Sequence, residues 1–437
     1  MSPLAPKPDC KFDCVSLLQK LITYPSITPK ECGIYELVKN LLSPHFDFLE
    51  QEAGGVKNLF AYSKDFADSA VSEESKRRDR IQDSYQSKNA EYARETKWSG
   101  GEAEFTSAQT IQKMDFGEST PPHICFAGHI DVVPPGEGWE YEPFAGVIKN
   151  DIIYGRGAQD MKGGVSAFIC AVLEFLERNK DAQKYLKISL LLTSDEEGEG
   201  TYGTQYMLPL LEEKGLMPNM VIVAEPTASK TTGDSIKIGR RGSINGVLKI
   251  LGKQGHVAYP AQCVNPVELL GARLGKLAGV NLDNGDGDFE PSKLVITDIR
   301  GGLEVTNVTP NEVKILFNVR NSPQTSLERV ESYVREVCAG LEFSLQLRQS
   351  SLPFLTQREN PLIARMQKSI KKVCGKEALL STAGGTSDAR FFGARAISVI
   401  EVGVPNDTIH AVNECVKIGD VKILQEIFLQ FLEDFVK

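Results

Sequence analysis

The run Ile124-Cys125-Phe126-Ala127-Gly128-His129-Ile130-Asp131 is apolar until it ends on an imidazole and a carboxylate. It reads as a strand, and residues two apart on a strand project from the same face. His129 and Asp131 therefore leave the sheet together, one able to bind a metal while the other orients it.

Outward from this stretch, short apolar runs alternate with helical patterns. Strands are expected over 124–128, 187–193 and 219–224, and helices over about 162–178 and 203–214. Such alternation indicates an α/β fold with a mixed, mostly parallel sheet covered by helices. In such sheets ligands gather at the carboxyl ends of the strands. Upstream, Phe12, Val15, Leu18, Leu21 and Ile22 at helical spacing predict a helix over 12–24, stopped by Pro25-Ser26-Ile27-Thr28-Pro29, and 58–62 reads as a strand.

From about Gly242 the pattern becomes strand 242–251, helix 265–279, strands 293–300 and 312–319, helix 325–340 and strand 342–349. That β-α-β-β-α-β order is the split, ferredoxin-like unit. A helix over 361–374, a strand over 397–402 and a helix over 420–436 then resume the first unit. The expected organisation is a catalytic domain in two parts, 1–241 and 353–437, interrupted by a smaller α+β domain over 242–352.

A chain of 437 residues favours two domains over one continuous core. A net charge of −9 disfavours a nucleic-acid or anionic-membrane binder, so an anionic substrate must find local arginines. Nine scattered cysteines, several in apolar patterns, suggest a reducing compartment. With no signal-peptide pattern in Met1–Lys11 and no apolar run near the ~18 residues that span a bilayer, a soluble, cytoplasmic chain is expected. Between Lys64 and Glu118 nine Lys/Arg face twelve Asp/Glu, and the whole segment 63–122 reads as a polar, flexible insertion.

Four segments end on acid: His129/Asp131, then Asp160, then the pair Glu196-Glu197, then Glu225 after Val221-Ile222-Val223-Ala224. One such acid alone would read as a turn or cap residue. Their recurrence at successive strand ends calls for cations, because carboxylates facing a cleft are costly unless paired or metal-bound. His410 can supply a second imidazole. Two histidines and three carboxylates form a mixed N/O set that suits zinc, with cobalt or manganese as substitutes. Of the adjacent Glu196 and Glu197, one would ligate and the other remove a proton from the attacking water.

His129-Ile130-Asp131-Val132-Val133-Pro134, the stretch from Gly155 to Gly164 and Ser194-Asp195-Glu196-Glu197-Gly198 closely resemble the di-zinc aminoacylase and carboxypeptidase-like metallohydrolases. Gly239-Arg240-Arg241-Gly242-Ser243 and the stretch from Gly384 to Phe391 look more like the branch of that family that removes succinyl groups than the branch that removes acetyl groups. The resemblance implies a zinc-exopeptidase-like catalytic domain with a ferredoxin-like dimerisation, or lid, domain. It implies two zinc ions per subunit, one held by His129, Asp160 and Glu225 and the other by Asp160, Glu197 and His410. Asp131 would hold the His129 imidazole, Glu196 would act as general base and then acid, and the Asp160-Met161 peptide would be cis. His256 would reach the partner's active site in a homodimer and support the oxyanion. Arg240, Asn307, Arg320, Gly385, Thr386, Ser387, Arg390 and Asn406 would hold the substrate and its carboxylates, with the choice between Arg240 and the adjacent Arg241 left open by the sequence. The implied reaction is hydrolysis of N-succinyl-LL-2,6-diaminopimelate to succinate and LL-2,6-diaminopimelate. Acetylornithine deacetylation or another N-acyl-amino-acid hydrolysis is the alternative, and a non-catalytic binding protein on the same scaffold is a further one.

Overall fold

The computed structural model describes residues 12–64 and 121–436. The expected polar insertion thus lies, over 65–120, outside the described residues, as does the N-terminal stretch through Lys11.

An eight-stranded mixed sheet runs in the order Phe46–Ala53, Val56–Ser63, Lys187–Thr193, His123–His129, Met220–Val223, Ser398–Glu401, Ser235–Lys237, Leu379–Ser381. Its centre is parallel: His123–His129 has a parallel neighbour on each side, and Met220–Val223 pairs in the same sense with Ser398–Glu401. These central strands are buried almost throughout. Helices cover both faces in such a sheet, so near-continuous Val, Ile and Leu runs are what it requires.

The register decides where the chemistry can sit. His129 lies opposite Thr193, Ala127 opposite Val223, and Val223 opposite Glu401. The residues following each strand, Asp131, Asp195 to Glu197, and Glu225, therefore emerge at one edge of the sheet. The helix Lys162–Arg178 packs against that edge by way of Gly164, where a Cβ would stand 2.1 Å from the Ala224 carbonyl oxygen. Only glycine allows so close an approach, and it draws Asp160 in beside Glu225.

Residues 243–351 build a four-stranded antiparallel sheet in the order Lys293–Gly301, Glu312–Arg320, Ser243–Leu251, Phe343–Ser351. It has its own apolar core, including Ile244, Leu248, Leu294, Ile315, Val330 and Val334, separate from the core of the larger sheet. The helix expected over 265–279 is instead two pieces, Pro266–Gly271 and Leu274–Leu277. Arg273 leaves helical geometry at φ −120° and donates through its guanidinium to the carbonyls of Leu269, Val337 and Ala339. Among the described residues, the elements that were not expected include the helices Ile34–Leu42 and Ala389–Gly393 and, within the larger sheet, the strands Phe46–Ala53, Ser235–Lys237 and Leu379–Ser381.

Candidate active site

The strand His123–His129 delivers a fully buried imidazole whose Nδ1 lies 2.9 Å from the backbone carbonyl of Asp131. That carbonyl accepts a hydrogen bond from Nδ1, which leaves the Nε2 lone pair directed at the cluster. The Asp131 carboxylate, expected to hold the ring, stands farther off, with Oδ1 at 3.6 Å. Its Oδ2 accepts instead from Thr28 Oγ1 at 2.8 Å and from the Glu197 backbone N–H at 3.2 Å. Asp131 thus fixes the loop that carries Glu197, and its backbone fixes His129.

Around Nε2 of His129 lie Asp160 Oδ1 at 3.3 Å, Glu225 Oε1 at 3.8 Å and Glu196 Oε2 at 3.9 Å. The other oxygen of Asp160 lies 3.3 Å from His410 Nε2, which meets Glu197 Oε1 at 2.8 Å. Two triads, His129 with Asp160 and Glu225, and Asp160 with Glu197 and His410, each bring one atom per residue within 4.8 Å of one another, and they share Asp160. The Asp160-Met161 peptide is cis.

The electrostatics are those of an anionic hole. Burial pushes the Glu196 carboxyl up to about 8, helped by Asp388, Glu197 and Asp160, and burial likewise holds Glu225 well above its ordinary range. Hydrogen bonds that its ring donates to the Asp160 and Glu197 carboxylates lift His410 to about 10. Carboxylates outnumber imidazoles, and Glu225 Oε1 is buried with no hydrogen-bond partner among the described residues. Imidazole and carboxylate oxygen at this separation, with an unpartnered oxygen aimed inward, fit a pair of divalent ions of the zinc, cobalt or manganese kind.

Glu414 organises the loop that carries Asp160. Its fully buried carboxylate accepts from Arg156 Nη1 at 2.7 Å and from the backbone N–H groups of Gly157, Gln159 and Asp160 at 3.0, 2.8 and 3.1 Å.

The cluster forms one wall of a cavity of about 410 Å³. Lys237, Arg240, Arg320, Gly385, Thr386, Arg390 and Asn406 also line it. Of the residues expected there, Ser387 is buried behind the wall, with its hydroxyl donating to Glu401 Oε1 at 2.5 Å. Arg240 is likewise bound by Glu401. His256 and Asn307 do not line this cavity. They sit on adjoining exposed segments, where Asn307 O accepts from Val257 N–H and His256 Nδ1 accepts from Ala258 N–H.

Three site residues escaped the sequence reading. Glu401 ends the apolar strand Ser398-Val399-Ile400-Glu401, the same pattern that marked the other acids, and that signal was available. Glu414 and Lys237 carry no such mark.

The model of peptidase family M20/M25/M40 matches residues 125–434. A succinyl-diaminopimelate desuccinylase from Helicobacter hepaticus is 49% identical over 430 residues, covering 97% of each chain. One from Wolinella succinogenes is 47% identical over 422 residues, 97% of this chain and 100% of that relative. Among solved structures, an aminopeptidase from Bacillus cereus superposes with a TM-score of 0.70 at 16% identity, covering 98% of this chain and 99% of the other. An M20 family metallo-carboxypeptidase from Sulfolobus solfataricus gives 0.68 at 17% identity, over 96% and 98%. At such identities the structural likeness speaks for the fold alone. The family match covers the strand ends and loops from which the two triads are built, and the chain belongs to peptidase family M20/M25/M40.

Proposed function

We propose that this chain hydrolyses the amide of N-succinyl-LL-2,6-diaminopimelate, releasing succinate and LL-2,6-diaminopimelate for diaminopimelate and lysine biosynthesis. The chain is a metal-dependent amidohydrolase, and the observation that carries the substrate is the near-full-length match to desuccinylases at 49% and 47% identity. The cavity supports it: basic side chains that suit a substrate with several carboxylates adjoin the acid cluster.

The geometry supports an assignment of ligands. His129, Asp160 and Glu225 would hold one zinc, and Asp160, Glu197 and His410 the other, with cobalt able to substitute. A bound pair would polarise the amide carbonyl and acidify the attacking water. Glu196, whose Oε2 stands 3.9 Å from His129 Nε2 at the edge of the cluster, would take the proton from that water and return it to the leaving amine nitrogen. The Asp131 carbonyl keeps His129 in the tautomer that offers Nε2. Arg240, Arg320, Thr386, Arg390, Asn406 and the backbone at Gly385 hold the substrate carboxylates.

His256 and Asn307 act on the cavity of a second subunit in a homodimer, with the 242–352 unit as the dimerising lid. Their surroundings support this: Val257, Tyr259, Leu303 and Val305, on the two adjoining segments, expose 47, 60, 65 and 51% of their surface, and apolar exposure of this extent suits an interaction face. A cytoplasmic location accords with the reading; among the described residues no helix is long and apolar enough to cross a membrane.

The test is a side-by-side assay of N-succinyl-LL-2,6-diaminopimelate and N-acetylornithine with bound metal counted by mass spectrometry. The succinylated substrate should be preferred by about 100-fold or more in kcat/KM. Glu196→Gln should keep its metal and lose about 10²- to 10⁴-fold in kcat. A metal-loaded wild type that leaves the succinylated substrate intact refutes the proposal.

A further inference from the structure

Arg240 lines the cavity, yet its charge is already matched. Its Nε lies 3.0 Å from both carboxylate oxygens of Glu401, its Nη2 bonds Glu401 Oε2, and its Nη1 donates to the Ala383 carbonyl at 3.2 Å. A guanidinium has five N–H donors. Glu401 takes Nε–H and one hydrogen of Nη2, and Ala383 takes one of Nη1. Among the described residues two remain without a partner, one on each terminal nitrogen, for a ligand in the cavity. Glu401 itself is wholly buried and accepts a further hydrogen bond from Ser387. Gly384, at φ +108°, has no side chain to obstruct the fork: a Cβ there would fall 2.4 Å from Nη1.

We infer that Glu401 is a positioning residue for substrate binding: held by Ser387, it clamps one edge of Arg240 so that the remaining two N–H groups meet a substrate carboxylate in fixed, bidentate geometry. This rests on the functional reading above. Its consequence is that Arg240 supplies direction more than net charge. The long-range attraction for an anionic substrate falls to the other basic residues of the cavity, Arg320 among them, which is exposed. A clamped fork loses little rotamer freedom when the ligand arrives, which favours affinity.

The test uses Glu401→Gln, which keeps the side-chain shape but removes the charge and one acceptor oxygen. Expected are unchanged metal content, kcat within about 3-fold, and a KM for the succinylated substrate raised about 10-fold or more, the range of a lost charge-assisted hydrogen bond. The inhibition constant of one reaction product, succinate or LL-2,6-diaminopimelate, should rise by a similar factor while that of the other stays within about 3-fold. A fall in kcat at constant KM, or equal weakening of both products, overturns the inference. If Glu401→Gln does not fold, Ser387→Ala and Arg240→Lys take its place. The first loosens the clamp and the second keeps the charge without the fork, so KM should rise in both, and unchanged KM in both overturns the inference. If the wild type spares the succinylated substrate, the functional reading falls by itself. Binding of succinate and of LL-2,6-diaminopimelate to wild type and Glu401→Gln, measured by calorimetry, then decides on Glu401 by the same one-sided loss.

Discussion

Glu414 touches no substrate, and its four hydrogen bonds still decide where Asp160 stands. Replacing it by alanine leaves Arg156 as a buried cation without a counter-charge, a change that costs about 3–5 kcal/mol. Glu414→Ala should therefore lower the urea midpoint and weaken metal retention in dialysis, while Glu414→Gln, which can still accept from the loop N–H groups, should lose less of both. His123 gives a prediction in pH. Its ring lies buried between the Met217 carbonyl at 3.1 Å and Ser189 Oγ at 2.7 Å, and burial pushes its pKa down to about 3. The unfolded chain takes up a proton near 6.5 that the folded chain refuses, so this histidine withdraws stability as pH falls from about 6.5 toward 3. Between pH 6 and 4 the unfolding free energy of the wild type should fall more steeply than that of His123→Gln, by about 1.4 kcal/mol per pH unit. Equal slopes would show that the ring titrates in place. At this scale the legible residues were those with a pattern: His129, Asp160, Glu196, Glu197 and Glu225 follow apolar runs or glycine-rich turns. His410 and Glu414 follow none: His410 is marked only by its late position and by the family resemblance, and Glu414 is missed. The first sits on a left-handed backbone, φ 59°, and the second acts mainly on backbone N–H groups, neither of which leaves a periodicity to read.

The helix Lys162–Arg178 meets the sheet through a glycine, so its distance from the strand end is set by the absence of one methyl group. Gly164→Ala must move helix and sheet apart, at the roughly 1–3 kcal/mol of an overpacked core. The shift would carry Asp160 away from Glu225. Thermal melting should show the lost stability, and metal stoichiometry should fall in parallel; a variant with full stability and metal content would mean that the Ala224 carbonyl yields without consequence. Elements with strong periodicity were legible to within a few residues, as in Lys187–Thr193 and Pro361–Cys374. The hairpin of Phe46–Ala53 and Val56–Ser63 was half missed. Its first strand reads FDFLEQEA, polar enough to pass for a loop, and the informative signal was the Gly54-Gly55 turn, with φ 59° and 82°. The broken helix near 271–274 was illegible for another reason: Arg273 satisfies distant carbonyls, a tertiary demand that local propensity does not contain.

For the molecule as a whole, the site joins the central strands to the loop that follows the Ser398–Glu401 strand, so metal occupancy should be felt globally. A ligand that binds only the folded state stabilises it by RT ln(1 + [L]/Kd), about 2.7 kcal/mol at a hundredfold excess over Kd. Chelation should lower the melting temperature, and added zinc should restore both stability and turnover. Restored stability without turnover would assign the ions a structural role.

The discontinuous path of the chain also sets a schedule for its synthesis. The strand Met220–Val223 leaves the ribosome early, while its parallel neighbour Ser398–Glu401 and the residues His410 and Glu414 come after the whole 243–351 unit. At 5–20 residues per second that interval is roughly ten seconds or more. During it the nascent chain presents an unpaired sheet edge and a carboxylate cluster without His410, while the later-made unit can already collapse on its own core. Assembly of the catalytic fold is thus deferred until the strand Ser398–Glu401 and the residues after it have been made, and this chain is the kind of client that a ribosome-bound chaperone would have to shield.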